Sequence, residues 1–449
     1  VPIDLTTDAA ARDQLLEPGG DGPLVRRSIL PGGVRLLTET DRSVRSATLG
    51  LWLPVGSRDE TPAHAGSTHA LEHLLFKGTR RRSALDIATA FDEVGGESNA
   101  VTAKEHTVYH GRVRSADLPL ALDVLTDMVT SSTLAPEALE TEREVILEEL
   151  AMAQDDPTDS GYEEFLAQVL GSDTPMGRPV GGTIESVSAL TDADVRAHFA
   201  EHYRPSNLVV TAVGDLDHDE LAARLEQRLA AGGWELADGE LPSARRPAHD
   251  RSDPAVGAVP GPASVVAPHR IVRPLEQTHI YLGGPSIGAS SEDRHAMNVL
   301  MAILGGGMSS RLFQHIREER GLVYTVYSFS AAYRDAGLFG MYAACRPARA
   351  EQVVELMGAE VEQMRDHGVT DEEMRRALGQ ITGALALGLE DTASRMGRLG
   401  SLELVQGRYS TVDEALEKMA AVTAEDVRDL AARLADSFTT RVDVGPGTL

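Results

Sequence analysis

One seven-residue stretch of this chain is echoed later in it. Leu190-Thr191-Asp192-Ala193-Asp194-Val195-Arg196 returns as Val422-Thr423-Ala424-Glu425-Asp426-Val427-Arg428, at an offset of 422 − 190 = 232. Each copy leads through a helical pattern into a strand-like run that ends near glycine, at Val213-Gly214 and at Val444-Gly445. Two looser echoes keep the same order. Leu53-Pro54-Val55-Gly56-Ser57 resembles Gly284-Pro285-Ser286-Ile287-Gly288, and Leu134-Ala135-Pro136-Glu137 resembles Val369-Thr370-Asp371-Glu372. Echoes in one order at similar offsets predict a duplication, with two α/β halves of about 200 residues each. A single core does not accommodate 449 residues, so two or more domains are expected on size as well. Strands mixed with helices in each half predict helices packed on a sheet.

Punctuation between the halves is dense. Prolines stand at 242, 247, 254, 260, 262, 268 and 274, with Gly, Ala and Ser between them. Such a segment cannot sustain a long helix and reads as an extended linker. The expected organisation is a flexible lead over 1–23, a first domain over 24–235, a linker over 236–274 and a second domain over 275–449. In the first half, strand patterns cover 24–30, 34–40 and 47–54, the first two separated by the Pro31-Gly32-Gly33 turn. Helical periodicity covers 68–76, 83–94, 115–131 and 136–154. A strand at 208–213 and a helix at 217–231 follow.

Charge and cysteine content exclude several classes. The formal net charge of −27 repels phosphates, which argues against a nucleic-acid partner. The same charge suits a basic peptide. A lone cysteine, Cys345, rules out an intrachain disulfide and a cysteine-based metal site, and fits a reducing compartment. No apolar run reaches the roughly 18 residues that a membrane span needs. Residues 1–22 lack the pattern of a signal peptide, so a cytoplasmic location is expected.

The chemistry-bearing segment is His69-Ala70-Leu71-Glu72-His73. On a helix, residues four apart share a face. Glu72 falls about 60° to the other side of His69, so all three lie within an arc of about 100°. Neutral imidazoles are good zinc ligands, and an adjacent carboxylate can take a proton from water at the metal. The order His-x-x-Glu-His is the inverse of the commoner zincin motif. A third ligand has to come from elsewhere. Glu142 and Glu149, seven apart on a predicted helix, face the same way. Glu148 is turned by about 100° from Glu149. Spacing alone does not choose among these acids.

The run from Gly66 to Thr79 resembles the active-site segment of the pitrilysin and mitochondrial processing peptidase family. Glu142-Arg143-Glu144-Val145-Ile146-Leu147-Glu148-Glu149 and Gly95-Gly96-Glu97-Ser98-Asn99-Ala100-Val101-Thr102 match that family too. The resemblance spans about residues 25–445. It implies zinc held by His69, His73 and Glu149, with Glu72 as general base and Glu142 orienting the site from behind. In the second half it implies that Arg317 and Tyr324, seven apart, reach across to the substrate and steady the oxyanion. Asn99 and Ala100 would belong to a sheet edge that takes peptide as an added strand. Asp159 and Glu163 resemble the acid pair that receives a substrate arginine in processing peptidases. The implied fold is α+β: two similar α/β-sandwich domains, each a sheet with helices on one face, closing like a clam-shell around a chamber.

The second half has no His-x-x-Glu-His. Apolar residues around Leu300–Leu304 stand in its place, and the counterpart of Glu149 falls near Ala384, since 149 + 235 = 384. One Zn2+ per chain is therefore expected. The implied activity is a zinc-dependent endopeptidase acting on short or unfolded peptides or on leader segments, paired as a homodimer, with no nucleic-acid or membrane partner. Two other readings within the family are a structural subunit without activity and a catalytic subunit that needs a different partner chain. His64, His106 and His110 are not expected to be ligands.

Overall fold

The strand Ser46–Leu53 shows how each half is built. Its alternate residues Leu49, Leu51 and Leu53 enter one apolar core, while Trp52 enters another on the opposite face. A strand buried on both faces reads as a near-continuous apolar run and needs cover on each side. In the computed structural model the described residues are 2–8, 12–20, 22–247, 261, 263 and 266–447. They fall into two compact units. Unit 1 comprises Val1–Leu150, Arg178–Arg245 and Leu387–Thr411; unit 2 comprises Ala151–Gly177, Arg246–Ala386 and Val412–Leu449.

Unit 1 contains β1 (Ile3–Asp4), β2 (Asp13–Pro18), β3 (Leu24–Ile29), β4 (Arg35–Thr40), β5 (Ser46–Leu53), β6 (Glu97–Thr102), β7 (Thr107–Arg114) and β8 (Val209–Gly214). Its seven-stranded sheet has the order β2-β3-β4-β8-β5-β7-β6. β1 pairs with β13 (Arg408–Tyr409). The lead over 1–23 is thus not simply flexible, because residues 13–18 add an edge strand and Leu5 and Leu16 are buried against the sheet. Four helices of the first half are α1 (Ser67–Leu75), α2 (Ala84–Asp92), α3 (Leu118–Ser131) and α4 (Pro136–Asp155). Their apolar residues, among them Leu71, Phe91, Leu125 and Ile146, share one core with the sheet.

Unit 2 contains β9 (Pro268–Val272), β10 (Thr278–Pro285), β11 (Val323–Ala332), β12 (Gly337–Cys345) and β14 (Thr440–Gly445), in the order β11-β12-β10-β14-β9. Three antiparallel pairings are followed by one parallel pairing, β14 with β9. Unit 1 repeats that sequence of pairings from β6 through β7, β5 and β8 to β4. The duplication read from the sequence is therefore a duplication of topology. Its seven-residue echo also has a local cause: Thr191 with Asp194, and Thr423 with Asp426, form the same reciprocal cap at a helix N-terminus.

Domain boundaries differ from those expected. Helix α5 (Pro157–Leu170) lies before the linker, yet it packs on β10 and β14 of unit 2, burying Phe165, Leu166 and Val169. The helix Thr392–Ser401 lies after the linker, yet it packs on β5 and β8 of unit 1, burying Met396 and Leu399. The two starts are related by the repeat offset, 157 + 235 = 392. Each half thus supplies the helix that covers the reverse face of the other half's sheet. Close approach needs glycine in both places: a Cβ on Gly161 would lie 2.7 Å from the Tyr281 ring, and one on Gly400 would lie 2.5 Å from the Trp52 ring. Part of the expected linker over 236–274, namely 248–260, 262 and 264–265, lies outside the described residues. Among the described residues, no helix is long and apolar enough to cross a membrane.

Candidate metal centre

Helix α1 separates its residues by face. Ala70, Leu71, Leu74 and Leu75 are buried in the core of unit 1, which leaves His69, Glu72 and His73 half-buried on the other side. Helix α4 lies alongside with Leu139, Glu142 and Ile146 buried, and Glu149 continues the same stripe. Seven residues make nearly two turns, which is why Glu142 and Glu149 arrive together.

One ligand atom each from His69, His73 and Glu149 lies within 4.8 Å of the other two. Glu149 Oε2 is 3.7 Å from His69 Nε2 and 3.5 Å from His73 Nε2. Tetrahedral zinc with bonds of about 2.0–2.1 Å spaces its ligand atoms about 3.3 Å apart, so small side-chain shifts would close this triangle on an ion. Glu148 is not in the group. The protonation states also fit. Glu142, buried, lies 3.0 Å through Oε2 from His73 Nδ1 and 2.7 Å through Oε1 from Lys77 Nζ. With Nδ1–H donating to that carboxylate, His73 Nε2 is left as the bare lone pair a metal requires. Burial, and then the neighbouring His73, lower the His69 pKa and keep it neutral, against the smaller pull of Glu72 and Glu149.

Glu72 is fixed by β6, since the Thr102 hydroxyl donates to Glu72 Oε2. Beneath it, Tyr109 and Tyr203 are joined hydroxyl to hydroxyl at 2.8 Å, and burial raises the pKa of both phenols. Among the described residues, two imidazoles and a carboxylate converge, a second carboxylate stands beside them, and a third steadies one imidazole. This donor set suits zinc.

The comparisons agree. Residues 35–184 match the insulinase domain of peptidase family M16, and residues 189–381 match the peptidase M16 inactive domain. The chain belongs to peptidase family M16. A Streptomyces coelicolor protein named an uncharacterised zinc protease is 48% identical over 424 residues, which is 94% of this chain and 90% of the relative. A Mycobacterium bovis protein of the same description is 44% identical, over 91% of this chain and 90% of its own length. The crystal structure of a peptidase M16 inactive domain from Pseudomonas fluorescens superposes with a TM-score of 0.82 at 22% identity, covering 94% of this chain and 98% of that one. That last likeness establishes the fold of the M16 chain.

The other expected site residues are distributed over both units. Asn99 is exposed and Ala100 buried on β6, which ends the sheet order of unit 1. The Ala100 N–H donates to Asn99 Oδ1 at 2.9 Å and so stays out of the ladder with β7. Arg317 and Tyr324 belong to unit 2, where the guanidinium stacks 4.6 Å from the Phe313 ring and 4.9 Å from the Tyr324 ring. Tyr324 is 75% exposed. Asp159 and Glu163 lie on α5 and so belong to unit 2, not to the first domain where the sequence reading placed them. His64 pairs with Asp194 at 3.2 Å, His106 lies against Trp52, and His110 has its pKa lowered by burial.

Sequence reasoning missed four contributors: Thr102 on Glu72, Lys77 on Glu142, His198 on the Thr68 hydroxyl at 3.0 Å, and Glu60 at the start of α1. Thr102 and Lys77 lie inside the matched segments and could have been singled out. Glu60 and His198 carry no local signal, since only the fold brings them to α1.

Proposed function

We propose that this M16 chain is a zinc-dependent endopeptidase with one ion per chain, held by His69, His73 and Glu149. The observation that carries the reading is the convergence of these three residues with Glu72 held beside them by Thr102. Bound zinc would supply a Lewis acid and lower the pKa of water at its open position. Glu72 takes the proton of the attacking water and delivers it to the leaving amine. Glu142 keeps His73 in the tautomer that binds metal. The peptide lies extended along β6, where it displaces the Asn99 amide oxygen from the Ala100 N–H. Arg317 and Tyr324 are assigned to the oxyanion and the peptide backbone, and Asp159 and Glu163 to basic substrate side chains, on the family resemblance. Backbone pairing tolerates many sequences, so short or unfolded peptides and leader segments are the expected substrates. A homodimer and a cytoplasmic location belong to the same proposal; the buried thiol of Cys345 suits a reducing compartment.

The test is zinc content and peptide hydrolysis of the purified chain beside Glu72→Gln. The variant should keep its zinc and lose about 10²-fold or more in kcat. Full activity in a zinc-loaded variant would refute the assignment.

A further inference from the structure

Glu60 has no part in the chemistry above, yet it is tied to the helix that carries it. Residue 66, at the N-terminal cap of α1, is a glycine with φ 95° and has no side chain with which to satisfy the first N–H groups of the helix. Glu60 does so from outside. Its Oε2 accepts from the Gly66 N–H at 2.8 Å and its Oε1 from the Thr68 N–H at 2.6 Å. The residue is 5% exposed.

The turn bearing Glu60 is fastened in turn to the hairpin that follows β6. Ser57 N–H donates to Ala103 O at 3.1 Å and Arg58 N–H to Lys104 O at 3.0 Å. A Cβ on Gly56 would lie 2.3 Å from Ala103 O, so no other residue lets the two segments meet this closely. Lys104 Nζ reaches Arg178 O at 2.8 Å, and the Arg178 guanidinium donates to the backbone carbonyl of Glu60. Residues 103–105 come directly after Thr102, which holds Glu72. Helix α1 is therefore held to one hairpin at two points, at its start by Glu60 and one turn later by Thr102.

We infer that Glu60 is a positioning residue: it fixes α1 against the β6–β7 hairpin and so sets His69, Glu72 and His73 relative to the strand that would carry the peptide. This rests on the peptidase reading. Position 66 cannot supply the cap itself, because its φ of 95° favours glycine and a Cβ there would lie 2.9 Å from Gly181 O. Burial pushes the Glu60 carboxyl up to about 7 in spite of its hydrogen bonds, so the cap is held in place at a cost. What Glu60 adds is reach, from a turn anchored on the hairpin to the helix.

The experiment compares the full chain with Glu60→Ala and Glu60→Gln. Four quantities are read: the zinc dissociation constant by chelator competition, kcat and KM per zinc-loaded molecule on a quenched peptide, and the thermal midpoint of the metal-free protein. Glu60→Ala should lower kcat about tenfold or more, because small misplacements of reacting groups are costly, with KM within about threefold of wild type. It should also weaken zinc binding. Glu60→Gln keeps one acceptor oxygen and should fall between, and it supplies the same readings should the alanine variant fail to fold. A lower thermal midpoint with unchanged kcat and zinc affinity would overturn the inference, leaving Glu60 a cap. Wild-type protein that binds zinc but cleaves nothing would sink the peptidase reading instead, and the zinc constants of the variants would still decide the role of Glu60.

Discussion

Replacing Glu142 tests the metal centre from behind. Its carboxylate is 3% exposed and lies between His73 Nδ1 at 3.0 Å and Lys77 Nζ at 2.7 Å. In Glu142→Gln the amide oxygen can still accept from one donor, and the amide nitrogen then faces the other. The Lys77 side chain is 39% exposed and can turn to water, so the oxygen should stay with His73. What is lost is the charge on the acceptor. Hydrogen bonds to charged groups contribute about 1.5–3 kcal/mol against about 1 for neutral ones, a difference of roughly 0.5–2 kcal/mol, or about two- to thirtyfold in zinc affinity. Glu142→Ala removes both acceptors and strands a half-buried N–H, so a loss of about 10–100-fold is expected, as for other residues that orient metal-binding histidines. Chelator competition at fixed pH, with zinc content by mass spectrometry, measures both. The order should be wild type, then Gln, then Ala, with Glu148→Gln equal to wild type. Wild-type affinity in Glu142→Ala would refute the claim that this carboxylate orients His73.

Three further outcomes are expected. Glu149→Gln should lower zinc affinity strongly while Glu148→Gln leaves it unchanged, because only Glu149 lies with the imidazoles; equal effects in an equilibrium dialysis series would count against the ligand assignment. Phe165→Ala should destabilise unit 2 by about 3–5 kcal/mol, the range for a buried aromatic, as read from urea unfolding of the metal-free chain; a change under about 1 kcal/mol would mean that α5 does not seal that sheet. Asp41, hydrogen-bonded to Arg395 of the Thr392–Ser401 helix at 2.7 Å, has its pKa lowered to about 2, chiefly by that bond. Its folded value lies below its unfolded one, so its stabilisation is complete above about pH 4 and is lost as pH falls through about 2; Arg395→Met should flatten that part of a urea-midpoint profile, and an unchanged profile would contradict it.

Local chemistry made much of this readable in advance. Strands such as Arg35–Thr40 and helices such as Ser67–Leu75 sit within a residue or two of the positions set by alternation, periodicity and turn residues. The seven-residue echo was legible because the same capping pair, a threonine and an aspartate three residues apart, starts the corresponding helix in both halves. The choice of Glu149 over Glu148 was not available from spacing, since it depends on where α4 lies against α1; the family resemblance supplied it. The exchanged helices were hidden for a different reason. Residues 157–170 and 392–401 have apolar faces suited to any sheet, and periodicity does not say which sheet. Glu60 is the limiting case, an acid in a turn whose role exists only once Gly66 and Thr68 are brought against it.

Among the described residues the cluster of His69, His73 and Glu149 lies in the first half, and the duplication offers a reason. In the second half the helix Arg294–Gly305 stands where α1 stands in the first, and Leu300, Met301, Ile303 and Leu304 on it are buried. An imidazole pair there would be desolvated without a partner, since the 235-residue offset puts the counterpart of Glu149 near Ala384, on the helix Asp371–Gly388. Unpaired burial of polar groups is costly. In the first half α1 buries Leu71 and Leu74 but leaves a strip open toward α4, where Glu142 and Glu149 meet it. Duplicated topology thus preserves the scaffold in both units, while the residues on one helix face decide whether it packs as core or holds a cation. Installing His-x-x-Glu-His on Arg294–Gly305 should therefore cost stability without adding a second zinc; a doubly loaded variant would show that the scaffold, not the side-chain face, sets the stoichiometry.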